Sequence, residues 1–386
     1  MKIFSFVITL FFIQSAFGFY PDSYEQSRAH FKELAGLLKK TYPEIQLSSL
    51  KIPTQTGADL TTETIYIPQR GGTERLLILT SGIHGVEAFT GSAIQSQFLR
   101  EQLSPDLLTK MGILVIHGVN PYGFHFKRRV SENNVDLNRN FSARESHFQG
   151  KSQAYTQLNK FLNPLDKLKS SFFSDIKLFI RSLILLVQNG KKSLTQAIVG
   201  GQYQYPKGIY FGGQSTEPNV GILKQEFLKR ARSYETIFHL DLHTGYGERG
   251  KLHYFINQDT IEKSPNIKKL FEGYELDTDS KVDFYETSGD FATFTIELFP
   301  NKTVIPMVFE FGTMDSQTII GSFQSLKNMV YENQGFQYGY IDEASKARTE
   351  KQFMDMFNPS SEEWRTRVLQ KSRKELKIIL GRFSNF

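Results

Sequence analysis

A histidine and a glutamate three positions apart follow an apolar run in the first quarter of the chain. The run Leu76–Thr80 is typical of a buried strand, and His84 and Glu87 come directly after it. Both side chains can turn toward one point, where they would give zinc one imidazole nitrogen and one carboxylate. Taken alone, the pair is weak evidence, because it fits a solvated loop equally well.

A second apolar run ends in a histidine that could complete such a site. His243 follows Phe238–Leu242. Catalytic zinc sites typically use three protein ligands and leave one position for water, so two histidines and one glutamate form a suitable set. The sequence has no His-Glu-x-x-His motif and no cysteine pair, which excludes the helical protease and zinc-finger patterns. We expect His239 to point to the opposite face of this strand and to be structural.

A single acidic residue lies in a third apolar run. Glu310 stands within Val308–Phe311, where burial of a carboxylate is costly unless it is paired or used. Beside a metal it would act as a general base, taking a proton from the attacking water and returning it to the leaving nitrogen. A structural ion pair is the alternative interpretation.

Two further polar segments carry arginines. The first contains Arg128 and Arg129, and the second contains Asn138 and Arg139. Arginine can bind a substrate carboxylate through paired hydrogen bonds and can stabilise an oxyanion as it forms. Arg128 also fits a solvated loop, whereas Arg139 fits one poorly because its neighbours are asparagine and apolar residues.

The elements that would position these residues alternate between strand and helix. Apolar runs at Arg75–Thr80, Gly112–His117 and Thr236–Leu242 predict buried strands, and Gly91–Leu103 predicts a helix between the first two. This order indicates an α/β fold with a mixed, mainly parallel twisted central sheet and helices on both faces. The polar segments follow predicted strands, and ligands bind at that edge of open α/β sheets.

Composition and charge exclude several classes of protein. The 386 residues are 39% hydrophobic and 22% charged, which describes a globular protein and not a disordered one. The absence of cysteine excludes disulfides, thiolate metal sites and lipid attachment through cysteine. The net charge of +6 is mild and the basic residues are scattered, so nucleic acid is not an expected partner.

The first eighteen residues have the pattern of a secretory signal peptide. Lys2 precedes the run Ile3–Phe12, and Ala16–Gly18 supplies small residues for cleavage. An uncleaved anchor is the alternative, but the run is short for a membrane span. We therefore expect a secreted or periplasmic protein with no stable membrane insertion after cleavage.

The remaining chain, residues 19–386, is predicted to form a single catalytic domain. Residues 150–200 look like a helical insertion, in which Ser170–Gln188 is expected to be an amphipathic helix packed on the body. The charged stretch Glu362–Leu380 predicts a helical C-terminal extension.

Taken in order, the polar segments resemble those of the zinc carboxypeptidase superfamily, whose type member is carboxypeptidase A. The resemblance spans about residues 75–315 and is closest to a poorly characterised bacterial secreted subgroup. It rests on G-I-H-G-V-E, N-P-Y-G-F, V-D-L-N-R-N-F, D-L-H-T-G, Y-E-T-S-G-D and F-E-F-G.

The resemblance implies a role for each matching residue. One zinc ion would be bound by His84, Glu87 and His243, and Asp136 would accept a hydrogen bond from the first histidine. The remaining roles are oxyanion stabilisation by Arg129, binding of the substrate carboxylate by Asn138 and Arg139, closure over substrate by Tyr285, and general base catalysis by Glu310.

The resemblance therefore implies a secreted zinc metallocarboxypeptidase that hydrolyses an amide bond next to a free carboxylate. The expected compartment suggests peptides or peptidoglycan stem peptides as substrates. One alternative is an N-acyl amino acid deacylase similar to the aspartoacylase branch of the same superfamily. The other is a non-catalytic protein that binds the cell envelope.

Overall fold

The structure is a computed structural model that describes residues 19–142, 145–278 and 289–386. Eight strands form one sheet in the order β1-β2-β4-β3-β5-β8-β6-β7. In chain order they are β1 (Gln46–Lys51), β2 (Thr61–Ile67), β3 (Arg75–Ser81), β4 (Gly112–His117), β5 (Thr236–Thr244), β6 (Leu252–Phe255), β7 (Leu276–Asp277) and β8 (Thr303–Phe311).

The middle of the sheet is parallel and its outer pairs are mostly antiparallel. Strands β4, β3, β5 and β8 run in the same direction, whereas β1, β2 and β6 pair antiparallel with their neighbours on the inner side. The predicted mixed, mainly parallel sheet is therefore confirmed.

Helices cover both faces of the sheet, as predicted. They are α1 (Tyr24–Lys39), α2 (Ala88–Glu101), α3 (Pro105–Lys110), α4 (Pro121–His125), α5 (Gln153–Leu162), α6 (Phe172–Asn189), α7 (Lys191–Val199), α8 (Pro218–Ala231), α9 (Gln258–Glu262), α10 (Pro265–Leu270), α11 (Phe291–Leu298), α12 (Ile319–Tyr338), α13 (Glu343–Phe357) and α14 (Glu362–Phe383). Among the described ranges, no helix is long and apolar enough to cross a bilayer.

Each central strand contributes to two apolar cores because successive side chains point to opposite faces. Leu77 and Leu79 of β3 pack with α1, α2 and α14, whereas Leu76 and Ile78 pack with α8 and α11. Trp364 of α14 is buried in the first core. Continuous apolar runs such as that of β3 are therefore buried on both sides.

The chain changes direction across the sheet at β3. From β3 it goes to β4 on one side, and it later returns to β5 on the other side. The carboxyl ends of β3 and β5 thus meet where the strand order reverses, which is the usual ligand position in such sheets. The residues that follow β3 and end β5 include the predicted metal ligands.

The region predicted as an insertion contains α5, α6 and α7. Its core residues, among them Leu158 and Leu178, pack with Val330 of α12. Residues 1–18, interpreted above as a signal peptide, lie outside the described residues, and that interpretation stays a prediction.

A buried histidine at the end of β4 makes stability depend on pH. The Nε2 atom of His117 lies 2.8 Å from Ser27 Oγ, and its Nδ1 atom has no hydrogen-bond partner among the described residues. Burial lowers the pKa of His117 to about 4. In the unfolded chain the same histidine has a pKa of about 6.5. Between these two pKa values it is therefore protonated in the unfolded chain but not in the folded chain.

We expect the free energy of unfolding to fall as the pH is lowered from 7.5 to 5.0. His117 contributes about 2 kcal/mol to this loss, from about 1.5 pKa units at 1.36 kcal/mol each. Urea titrations at both pH values give the free energy of unfolding of the protein and of a His117→Gln variant. The contribution of His117 is the difference between the two proteins in how far this free energy falls from pH 7.5 to pH 5.0. An identical pH dependence in the two proteins would contradict it.

Candidate active site

The loop after β3 holds His84 and Glu87 close together. Gly82 adopts a φ of +75°, which turns the chain out of the strand, and a short 3-10 helix, Gly85–Glu87, follows. A Cβ atom on Gly85 would lie 2.0 Å from the carbonyl carbon of Gly123. Glycine at this position therefore lets the loop lie directly against α4.

The end of β5 brings a second histidine to the same place. The Nδ1 atom of His84 lies 2.8 Å from Glu87 Oε1, and the Nδ1 atom of His243 lies 3.2 Å from Glu87 Oε2. One ligand atom from each of the three side chains lies within 4.8 Å of the others, and all three residues are buried. The three residues predicted from the sequence are therefore brought together.

Each imidazole is held from behind by an aspartate. His84 Nε2 lies 3.1 Å from Asp136 Oδ1, and His243 Nε2 lies 2.7 Å from Asp241 Oδ2. These contacts fix the rings so that both Nδ1 atoms face Glu87. The role of Asp241 was missed in the sequence, although its spacing of two from His243 places both on one face of a strand.

The expected orientation of His239 is wrong. Residues 239 and 243 are four apart in β5, so their side chains lie on the same face of the sheet. His239 is nevertheless structural, because its ring nitrogens lie 3.0 Å from Thr80 Oγ1 and 2.7 Å from Thr295 Oγ1. It lies deeper along the strand than His243, away from the sheet edge.

The electrostatics of this group favour a bound cation. Burial opposes ionisation of Glu87, but the facing imidazoles hold its pKa below the ordinary value. Burial alone would lower the pKa of His243, but the Asp241 and Glu87 carboxylates raise it well above the ordinary value. Burial likewise opposes ionisation of Asp136, but Arg129 and His84 hold its pKa well below the usual range.

Two imidazoles and a carboxylate form a donor set that could hold a metal ion. Nitrogen and oxygen ligands of this kind suit zinc, and second carboxylates behind the imidazoles are common in such sites. Glu87, Asp136 and Asp241 are three buried acids, and Arg129, which contacts Asp136 and Glu87, offsets one of their negative charges. When both imidazoles are neutral, as metal ligands must be, two negative charges remain. The residues present therefore fit a divalent cation.

Removing the negative charge behind an imidazole is expected to weaken metal binding. Asp136→Asn and Asp241→Asn each replace the acceptor for an imidazole N–H, and we expect each to lower metal affinity by about 10- to 100-fold. Competition with a chromophoric chelator measures the affinity. Unchanged affinity in both variants would show that these aspartates do not orient metal ligands.

Glu310 lies beside the three candidate ligands. It is opposite His243 in the register of β5 and β8, and its Oε2 atom is 4.0 Å from His243 Nδ1. Its Oε1 atom accepts a hydrogen bond from the backbone N–H of Tyr246 at 2.9 Å. Within the described residues, no lysine or arginine forms an ion pair with it, so the alternative of a structural ion pair would depend on the 4.0 Å contact with His243.

The environment of Glu310 suits an acid that accepts and releases a proton. Burial, together with the nearby charge of Glu87, raises the pKa of Glu310 to about 8. A bound cation would act in the opposite direction, because positive charge stabilises the carboxylate. Its pKa thus responds to whatever charge occupies the site.

Arg129 lies on the other side of the candidate ligands. Its Nε atom donates to Asp136 Oδ2 at 3.1 Å, and its Nη1 atom lies 3.5 Å from Glu87 Oε1. Backbone hydrogen bonds from Gly85 N to Arg129 O and from Val86 N to Arg128 O tie this segment to the ligand loop. Arg129 is therefore held where it can reach a group bound at the three ligands.

Asn138 and Arg139 lie in a 3-10 helix beside the same space. The Arg139 guanidinium donates to the carbonyl oxygens of Val199 and Asn138. Arg139 is only 1% exposed, and no acidic side chain of the described residues forms an ion pair with it. Asn138 Oδ1 accepts a hydrogen bond from Phe291 N. Asp136 interacts with Arg139 at longer range. A buried cation at the edge of a cavity, with no ion-paired acid in the described part of the chain, suits a carboxylate ligand.

The interpretation of Arg128 as an arginine on a solvated loop is wrong. It is 3% exposed, and its Nε atom donates to Glu332 Oε1 at 2.7 Å. The guanidinium also lies 3.4 Å from the ring centre of Phe336. Tyr285, predicted to close over substrate, lies outside the described residues, so its role stays a prediction.

The candidate ligands, Arg129, Asn138, Arg139 and Glu310 all line one cavity of about 850 Å³. This size lies within the range of small-molecule sites. Helices α6, α7 and α12 supply much of the rest of its lining.

Comparisons with known proteins found one matching family and several similar solved structures. A family described as "Protein of unknown function (DUF2817)" matches residues 20–371. No curated protein sequence matches the chain.

Among solved structures, the chain is similar to bovine thrombin-activatable fibrinolysis inhibitor in complex with tick carboxypeptidase inhibitor, at 12% identity and a TM-score of 0.45, over 92% of this chain and 98% of that chain. It is similar to carboxypeptidase A from Helicoverpa armigera, at 12% identity and a TM-score of 0.44, over 86% and 73%. It is also similar to murein-tripeptide amidase MpaA from Escherichia coli O157, at 17% identity and a TM-score of 0.37, over 77% of this chain and 93% of that chain.

Proposed function

The chain belongs to the DUF2817 family of proteins of unknown function, and we propose that it is a zinc-dependent metallocarboxypeptidase that hydrolyses an amide bond next to a free carboxylate. The observation that carries this proposal is the convergence of His84, Glu87 and His243, with one ligand atom of each within 4.8 Å of the others. Glu310 lies beside them, 4.0 Å from His243 Nδ1.

His84, Glu87 and His243 would hold one zinc ion, which when bound supplies a Lewis acid and lowers the pKa of water. Asp136 and Asp241 keep the two imidazoles oriented through their Nε2 atoms. The chain thus fixes the donor atoms before any substrate arrives.

Glu310 is the general base in this proposal. Its carboxylate takes a proton from the water that attacks the carbonyl carbon, and it returns that proton to the nitrogen that leaves. The hydrogen bond from Tyr246 N to Oε1 holds the carboxylate in place, which leaves Oε2 to handle the proton.

Arg129 and Arg139 bind the two ends of the reacting group. The Arg129 guanidinium, next to Glu87, donates to the oxyanion that develops on the carbonyl oxygen. Arg139 and Asn138 bind the terminal carboxylate, because Arg139 is a buried cation that forms no ion pair with an acid of the described residues. Binding both ends orients the scissile bond between Glu310 and Arg129.

We infer a secreted or periplasmic location from the sequence of residues 1–18, and this location suggests peptides or peptidoglycan stem peptides as substrates. An N-acyl amino acid deacylase is the second candidate. It is favoured by the apolar side chains that line the cavity, since an acyl chain would contact them. A non-catalytic envelope-binding protein is disfavoured because it would have no use for Glu310 beside the ligand set.

Product analysis by mass spectrometry distinguishes these functions. The protein is incubated with peptides, muropeptides and N-acyl amino acids, with and without a chelator. We expect release of a C-terminal amino acid that stops on chelation and returns when zinc is added. Hydrolysis of the N-acyl amino acids to a fatty acid and a free amino acid, with no cleavage of peptides or muropeptides, would favour the deacylase, and no product from any class would contradict both enzymes.

A further inference from the structure

Helices α6 and α7 form an apolar wall of the cavity. Phe179, Leu183 and Leu186 of α6 and Leu194 and Ile198 of α7 line it. On α6 these side chains are spaced by three or four residues, so they lie along one side of the helix. The wall comes from the region that the sequence predicted to be an insertion.

Helix α12 extends this wall on its other side. Phe323, Leu326 and Met329 also line the cavity, and the ring centres of Phe179 and Phe323 are 4.8 Å apart. The cavity therefore has two chemically different parts. Charged groups surround the candidate metal ligands, and a mainly apolar surface lines the rest of the space, with Ser182, Lys191, Thr195, Ser322 and Ser325 as its polar members.

We propose that the substrate carries a long hydrocarbon group, which lies against α6, α7 and α12 while its amide bond lies at the candidate metal ligands. The substrate class is an amino acid or short peptide with a free carboxylate and an acyl chain on its nitrogen. This inference rests on the proposed hydrolysis of an amide bond next to a carboxylate, a reaction that the carboxypeptidase and the deacylase share. A ligand of this type would cover apolar surface of the cavity that otherwise faces water, which is the main source of its affinity.

Binding to a Glu310→Gln variant tests this inference without turnover. The probes are N-acetylglycine, N-octanoylglycine and N-dodecanoylglycine below their micellar concentrations, and calorimetry measures the dissociation constants. We expect affinity to rise by about fourfold for each of the first added methylenes. Equal affinity for all three probes would overturn the inference.

A pair of neighbouring residues on α6 provides matched variants. Leu183 lines the cavity, whereas Ile184, about 100° further around the helix, does not line it and is 50% exposed. In the Glu310→Gln background, Leu183→Asp is expected to abolish the dependence on chain length, and Ile184→Asp to retain it. A site on the inner side of α6 would be contradicted if both variants lost the dependence of affinity on chain length, or if both kept it.

Failure of the inference can be told apart from failure of the proposed function. Tighter binding of longer probes without any hydrolysis by the unmodified protein would leave the apolar site standing and reject the reaction. Equal hydrolysis of N-acetylglycine and N-dodecanoylglycine would support the reaction and reject the apolar site.

The outer side of α6 carries a second, independent feature. Phe173, Ile176, Ile180, Ile184 and Val187 are 81%, 40%, 52%, 50% and 86% exposed. Their spacing of three or four residues makes one apolar stripe along the helix. We call these five residues the outer stripe. Contiguous exposed apolar surface of this kind marks an interaction site.

Basic residues surround the outer stripe. Lys177 and Arg181 are exposed on α6 itself. The segments on either side of the helix add the exposed Lys167, Lys169 and Lys192, against one exposed acid, Asp166. The acidic residue within the helix, Asp175, is already paired with Arg348 and Lys327. The surface is therefore apolar along its centre and positively charged around it.

We propose that the outer stripe binds the surface of a membrane that contains anionic lipids, with α6 lying parallel to the bilayer. The apolar side chains would enter the boundary between headgroups and acyl chains, and the basic residues would contact the anionic headgroups. A second copy of this chain is a poorer occupant, because pairing two such surfaces would bring like charges together.

Co-sedimentation with lipid vesicles tests the docking surface. We expect binding to vesicles of phosphatidylcholine with 30% phosphatidylglycerol, at a lipid-to-protein ratio where pure phosphatidylcholine binds at least about tenfold less. Ile184→Asp should abolish binding, whereas Leu183→Asp, on the inner side of the same helix, should retain it. Retained probe binding by Ile184→Asp shows that the variant is folded.

Two results would overturn this proposal. One is that the protein binds neutral and anionic vesicles equally well, or binds neither. The other is a dimer in light scattering that Ile184→Asp converts to a monomer, which would assign the outer stripe to a second copy.

Discussion

Glu310→Gln is expected to lower kcat/KM for the best amide substrate by about 10³-fold, within the range for loss of a general base, while the bound metal remains. The carboxamide keeps the size of the side chain and can still accept the hydrogen bond from Tyr246 N at Oε1. It cannot take a proton from water at neutral pH. Steady-state kinetics and elemental analysis of the same preparation measure both quantities.

A buried acid outside the site provides the control. Glu226 is 4% exposed and pairs with Arg230 at 2.9 Å, so Glu226→Gln removes a buried charge without touching the cavity. We expect it to lower stability and to leave kcat/KM of the folded protein within about threefold, because its effect is on folding. Normal activity in Glu310→Gln would remove Glu310 from the mechanism.

Replacing His243 by alanine is expected to remove both the metal and the activity. His243 supplies one of three protein ligands, and its loss leaves only His84 and Glu87 at the site. Two ligands rarely hold catalytic zinc, so activity should fall to the level that remains after chelation. Elemental analysis after dialysis against a weak chelator gives the metal content.

His125 offers a matched control for loss of an imidazole. Its ring pairs with Glu25 on the surface, and its side chain is 30% exposed. His125→Ala should keep a full equivalent of metal and its activity. Full metal content in His243→Ala would show that the ion, where present, is bound elsewhere.

Much of the site could be predicted from the sequence because its residues follow buried strands. Apolar runs such as that of β3 are buried on both faces, and the polar residues after them reach the same edge of the sheet. His84, Glu87, His243 and Glu310 could therefore be selected before their distances were known, whereas Asp136 was selected only through the resemblance. Their roles were implied by resemblance, and those roles stay predictions until they are tested.

Other features depend on packing between distant parts of the chain. Arg128 looked solvated because its partner, Glu332, is more than 200 residues away on α12. The apolar wall of the cavity could not be foreseen either, since a sequence pattern shows that α6 has an apolar side but not what that side faces. His239 is a different case, because the period of two in a strand was misapplied to a spacing of four.

The most direct test of the central claim is a crystal structure with anomalous scattering measured on both sides of the zinc absorption edge. The account predicts one zinc peak about 2.0–2.2 Å from His84 Nδ1, His243 Nδ1 and a Glu87 carboxylate oxygen. Zinc bound at any other place, or no peak there after crystals are grown with zinc, would contradict it.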